Sequence, residues 1–156
     1  MIKQTTSPST LDGSELLIIG RCLTLRLEGL VEKGWGHEYI FATNDKYCGK
    51  LLKFNTGSRF SMHFHDEKDE TWFVLEGKFL VKYINTLNAD LNEIILNEGD
   101  TWRNEPLEPH QIICLEEGTI IEVSTPDSVE DNYRVWPGDS QNGDSYEKEK
   151  LRPDGS

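Results

Sequence analysis

Residues 57–77 read GSRFSMHFHDEKDETWFVLEG, and the fold turns on how this stretch is taken. The chain has only four histidines, and two of them, His63 and His65, stand two residues apart here. On a β-strand, residues i and i+2 project from the same side about 6.5–7 Å apart, so both imidazoles can reach one ion. Asp66-Glu67-Lys68-Asp69 reads as a polar turn, and Glu70 opens the next apolar run. A hairpin there would bring the Glu70 carboxylate back beside the histidines. Parity places Ser61, His63 and His65 on one face of the run 60–65, with Phe60, Met62 and Phe64 on the other. The next run divides into Glu70, Trp72 and Val74 against Thr71, Phe73 and Leu75. Polar groups thus share a face with apolar ones while the opposite face is apolar too, so both strands should be covered on both sides.

Outward from this stretch, the chain from about Ser14 to Ser124 breaks into short β-branched, aromatic and aliphatic runs. The breaks carry Gly, Asn or Asp, as at Thr43-Asn44-Asp45, Glu76-Gly77, Glu98-Gly99-Asp100 and Glu116-Glu117-Gly118. Expected strands are Leu16–Ile19, Leu23–Leu27, Glu38–Thr43, Gly49–Phe54, Phe60–His65, Glu70–Leu75, Phe79–Ile84, Glu93–Leu96, Thr101–Arg103, His110–Leu115 and Thr119–Val123. Short strands at regular spacing, without a helical period, indicate an all-β sandwich or barrel. Residues 1–14 read as a flexible arm, 15–136 as one barrel domain, and 137–156 as a polar, mobile tail.

With 28 acidic and 16 basic residues the formal net charge is −12. Neither nucleic acid nor an anionic membrane is therefore expected as a partner, since both require a basic face. Three widely spaced cysteines, with no CxxC pair, suggest a reducing compartment. There is no apolar run of spanning length and no signal-peptide pattern at the N-terminus, so the expectation is a soluble, cytoplasmic protein.

The third histidine of interest, His110, follows Pro109 and opens a late apolar run. Taken alone it reads as a capped or hydrogen-bonded histidine, and an HxH pair alone is a weak sign. The joint spacing carries more. Three neutral nitrogens and a carboxylate from His63, His65, His110 and Glu70 suit one divalent transition metal among Zn, Mn, Fe, Co and Ni.

The pattern Gly57-(five)-His63-Phe64-His65-(four)-Glu70-(six)-Gly77 resembles the first motif of the cupins. Gly99-Asp100 with Pro106 and Pro109-His110 resembles their second, with one extra residue before Pro106 and Glu108-Pro109 replacing the usual glycine turn. The resemblance covers residues 31 to 136 and implies a single cupin barrel, a double-stranded β-helix or jelly roll, whose metal ligands are these four residues. Within the cupins the chain is most similar to type II mannose-6-phosphate isomerases. Glu32-Lys33-Gly34-Trp35-Gly36, Ser61–His65, Lys68–Trp72, Ile121–Pro126 and Glu130–Arg134 carry that similarity. It departs where His63 replaces the usual Gln and Lys68 a frequent Arg.

That similarity implies a metal-dependent aldose–ketose isomerase acting on a sugar or sugar phosphate. Lys50, Glu70 and Arg134 are the candidate catalytic residues, and the proton acceptor is open among Lys50, Glu70 and a metal-bound hydroxide. A phosphate would call on Lys50, Lys68 or Arg134. Taken by itself, Lys50 reads as a strand-end lysine reaching to water rather than a substrate contact, Trp72 and Trp102 as packing or an aromatic wall, and Cys114 as a small buried hydrophobe. An Fe(II) dioxygenase and a non-catalytic carbohydrate-binding barrel are the alternatives, since fold does not choose between them. The apolar face opposite the metal calls for a cover, either residues 16–19 or a second subunit, and a homodimer is expected.

Overall fold

The computed structural model describes residues 29–141. The expected strands at 16–19 and 23–27, the arm, and the tail beyond Gln141 lie outside the described residues. Among the described residues nine strands form: β1 (Leu30–Lys33), β2 (Gly36–Thr43), β3 (Cys48–Phe54), β4 (Met62–Phe64), β5 (Glu70–Ile84), β6 (Leu91–Asn97), β7 (Thr101–Asn104), β8 (His110–Ser124) and β9 (Tyr133–Trp136). The only helix among the described residues is a single 3-10 turn, Asp139–Gln141, and none is long and apolar enough to cross a membrane.

Two strands organise the barrel. The N-terminal part of β5 pairs with β7 on one side and with the C-terminal part of β8 on the other, and β8 continues through β3 and β2 to β1. Their other halves pair with each other across Lys78–Tyr83 and His110–Glu116, flanked by β6 on one side and by β4 and β9 on the other. Each long strand therefore runs through both faces of a curled antiparallel sheet. Sequence punctuation at Glu76-Gly77 and Glu116-Glu117-Gly118 suggested that two pairs of strands end there; instead each pair is one strand, and the glycines mark a bulge. The register shifts between Val74 and Phe79, and Gly77 takes φ 88°. A Cβ on Gly118 would lie 2.2 Å from the Glu76 carbonyl oxygen, and one on Gly77 2.6 Å from that of Glu117. Only glycine lets the two backbones cross this closely at the bend.

The interior follows the period of two. Leu52 and Phe54 of β3, Trp72, Val74, Phe79 and Val81 of β5, and Ile112, Cys114 and Ile120 of β8 point inward and form the buried core with Trp35 and Leu96. Phe54 stacks on Trp35 at 4.4 Å and meets Phe79 edge-on at 5.5 Å. Trp72 belongs to this core, and Cys114 is a buried free thiol pushed up to about 11 by burial.

Parity fails just ahead of β4. Residues 59–61 form only an isolated bridge, Arg59 to Ile113, before the strand begins at Met62. Phe60 consequently turns inward beside Ser61 and His63 instead of opposing them, its ring 5.1 Å from His63 and 5.6 Å from Trp72. Met62 is fully buried, and Phe64 is stacked on Tyr133 of β9 at 5.1 Å. The part of the expected apolar face formed by Phe60, Met62 and Phe64 is thus closed from within. Phe73 and Leu75, expected on that face from the neighbouring strand, do stay exposed and form an apolar patch with Val123 on the outer face of β5 and β8. The chain expected to loosen at Pro137 stays docked through Gln141: Asp139 accepts from the Arg59 amide at 2.7 Å and Ser140 from the Gly34 amide at 3.0 Å.

Candidate metal centre

His63 sits on β4, His110 opens β8 directly across from it in the ladder, and His65 follows β4 by one residue. One nitrogen from each of the three buried rings lies within 4.8 Å of the other two. Backbone carbonyls fix which nitrogen that is. His63 Nδ1 meets the Ser61 oxygen at 2.8 Å, His110 Nδ1 the Glu108 oxygen at 2.8 Å, and His65 Nδ1 the Asp131 oxygen. A carbonyl only accepts, so each Nδ1 carries the proton and each Nε2 presents a bare lone pair. Nε2 of His65 and of His110 are buried with no hydrogen-bond partner. Burial, reinforced by neighbouring His110, pushes His63 down to about 3, and burial also lowers His65, so both rings are neutral near pH 7.

Glu70, first residue of β5, completes the cradle. Its Oε1 lies 3.1 Å from His110 Nε2 and its Oε2 3.8 Å from His65 Nε2. Two lone pairs facing each other at 3.1 Å without a proton between them repel unless a cation joins them. Orphaned imidazole nitrogens converging on a carboxylate are the donor set a divalent transition metal takes, so the residues present fit such an ion. Asn104 of β7 donates to Glu70 Oε1 at 3.0 Å, and Lys68 Nζ pairs with Oε2 at 2.6 Å. Burial would raise the Glu70 carboxyl, yet it lies well below its ordinary range, with the Lys68 ammonium against it favouring the charged form.

Beside the cradle lies a second buried charge cluster. Lys68, 4 % exposed, also donates to Glu122 Oε1 at 2.8 Å and approaches Asp127 Oδ1 at 3.3 Å. Lys50, 6 % exposed, donates to Asp127 Oδ2 at 2.8 Å and approaches Glu122 Oε1 at 3.8 Å. Lys50 does not reach to water as a strand-end lysine commonly does; burial opposes its charge, but Glu122 and Asp127 win and raise its pKa. Burial and the Glu70 charge raise the Glu122 carboxyl.

These groups line one cavity of about 340 Å³, with Trp35, Phe60 and Leu52 as its apolar wall and Arg134, of β9, toward solvent. Lys50, Glu70 and Arg134 are therefore brought together with the histidines. Trp102 stands apart, packed on Tyr83 at 5.1 Å. Sequence reasoning missed Glu122, Asp127 and Asn104. One signal for Glu122 was available: in the apolar run 119–124 it falls at the inward parity of Ile120, in register with Lys50.

No family model and no curated protein sequence matches the chain. Solved structures do. KdgF from Halomonas sp. superposes with TM-score 0.53 at 20 % identity, over 60 % of this chain and 81 % of that one. A formate complex of oxalate decarboxylase from Lactobacillus farciminis gives 0.60 at 18 %, over 68 % of this chain and 33 % of that one. The fold is a cupin barrel. The capsular polysaccharide assembling protein CapF from Staphylococcus aureus shares it, with TM-score 0.60 at 15 % identity, over 69 % of this chain and 32 % of its own. This chain spans about a third of the length of the decarboxylase and of CapF.

Proposed function

We propose that this cupin is a metal-dependent enzyme acting on a sugar or sugar phosphate, an aldose–ketose isomerase in its chemistry. The observation that carries the reading is the convergence of three bare imidazole nitrogens and Glu70 on a cavity that also holds a second carboxylate, Glu122, joined to Glu70 through Lys68. A divalent ion in that cradle supplies Lewis-acid polarisation of adjacent carbonyl and hydroxyl oxygens. Isomerisation further needs a base that takes the proton from C2 and returns it to C1. Lys50 and Lys68 are held protonated by carboxylates, which removes them as bases. Glu70 is committed to Lys68, Asn104 and the cradle. Between a metal-bound hydroxide and Glu122 we assign Glu122: it lines the cavity, one oxygen is anchored by Lys68, and its raised pKa suits a group that accepts and returns a proton. Arg134 at the exposed side is placed to meet a phosphate.

Incubating metal-loaded protein with mannose 6-phosphate or fructose 6-phosphate in heavy water tests this. The partner sugar should form, with deuterium on carbon unless proton return is shielded, and both signals should vanish with a chelator. Glu122→Gln should abolish interconversion while leaving the metal in place. A panel of hexose and pentose phosphates and free sugars that yields neither product nor label, with metal confirmed bound, overturns the isomerase.

A further inference from the structure

The cluster behind the cradle holds one carboxylate more than its lysines need. Lys50 and Lys68 face Glu70, Glu122 and Asp127. Glu70 and Glu122 alone would balance the two ammoniums. Once Glu70 serves a cation, the lysines retain Glu122 and require one further negative charge. An unpaired buried ammonium is costly, so that position must be filled.

Asp127 fills it, and it differs from its partners in kind. Glu70 and Glu122 project from strands and are buried, whereas the Asp127 side chain is 30 % exposed and belongs to the irregular segment between β8 and β9. That segment is pinned at both ends. Thr125 exchanges hydrogen bonds with Asp69, its amide donating to the Asp69 oxygen and its Oγ accepting from the Asp69 amide. The Asp131 carboxylate accepts from the amides of Asp66, Glu67 and Lys68. Between these anchors, Val129 lines the cavity mouth yet is 93 % exposed. Asp127 alone ties the middle of the segment inward through its side chain.

We infer that the Lys50–Lys68 pair is a carboxylate-binding subsite, occupied by Asp127 until the carboxylate of a small polyhydroxy acid replaces it. One carboxylate spans both ammoniums, Oδ2 on Lys50 at 2.8 Å and Oδ1 on Lys68 at 3.3 Å, so the site is already shaped to two oxygens of one planar group. A single negative charge balances the cluster, and a phosphate dianion exceeds it. Lys68 Nζ lies 2.6 Å from Glu70 Oε2, so a ligand anchored there places its neighbouring hydroxyls toward the histidines. The inference rests on reading the cavity as a sugar site and narrows it to sugar acids. It does not depend on isomerisation.

Calorimetric titration of the metal-loaded full chain with D-glucuronate and D-gluconate, against D-glucose and glucose 6-phosphate, tests it. Both acids should bind and glucose should not at the same concentrations. Asp127→Asn, which removes the internal competitor, should bind the acids roughly tenfold more tightly, the factor set by how far the latched state predominates. The subsite is refuted if neither protein binds the acids or if Asp127→Asn gains no affinity. Titration requires no turnover, so this result and the isomerase assay can fail independently.

Discussion

At the scale of single residues, the site is made by hydrogen bonds behind the ligands as much as by the ligands. Three carbonyls, those of Ser61, Asp131 and Glu108, each set one imidazole in the tautomer that presents Nε2. Holding neutral rings in a buried cradle has a measurable cost in acid. His63 titrates near 3 in the metal-free fold, against about 6.5 when exposed. Between those values the unfolded chain binds the extra proton, so stability rises with pH across that window and is lost as pH falls through it. The metal-free protein should therefore lose up to about 1.4 kcal/mol per pH unit between pH 6 and 4 from this ring. Urea midpoints should show that slope reduced by about one proton in His63→Gln; an unchanged slope contradicts the burial of a neutral His63. The histidines and Glu70 were legible in the sequence because their spacing is a property of a strand and a short turn. Glu122 and Asp127 were not, because what makes them functional is register. Lys50 meets Glu122 only through β3–β8 pairing, and it meets Asp127 across 77 positions of chain.

Among elements, β5 and β8 matter most, since each supplies ligands to the cradle and core to both halves of the barrel. Their punctuation misled the strand boundaries for a physical reason: a glycine that permits a close crossing looks the same in sequence as one that closes a hairpin. The difference is testable by substitution. Gly57 and Gly77 both have positive φ, 81° and 88°, but an added Cβ at Gly57 meets nothing within 4 Å. Gly57→Ala should cost only the backbone strain, about 1 kcal/mol. Gly77→Ala adds a collision with the β8 backbone at the bend and should cost about 3 kcal/mol or more in urea unfolding. Equal losses at the two positions would show that the crossing of β5 and β8 is looser than described. β9 went unread because four residues flanked by polar loops carry too short a pattern, although the pairing of Tyr133 with Phe64 holds β4 in place.

For the whole molecule, the barrel class was readable from the rhythm of short apolar runs and Gly-, Asn- and Asp-bearing breaks, whereas the surface that needs covering was readable only in part. Parity put Phe60, Met62 and Phe64 on that face with Phe73 and Leu75; the irregular backbone at 59–61 takes the first group out of it, while Phe73 and Leu75 stay exposed beside Val123. A patch of this kind on a barrel wall suits a two-fold contact between copies. Light scattering at micromolar concentration should give a dimer, and Val123→Glu should halve the mass; a monomeric wild type would leave only a cover from within the chain. The central claim is that His63, His65, His110 and Glu70 hold one divalent ion per chain, and native mass spectrometry of the intact protein reads it directly. One metal per chain is predicted for the wild type and none for His63→Ala/His65→Ala, with a matching fall in Tm because binding to the folded state alone stabilises it. Full metal occupancy in that double variant would contradict the assignment.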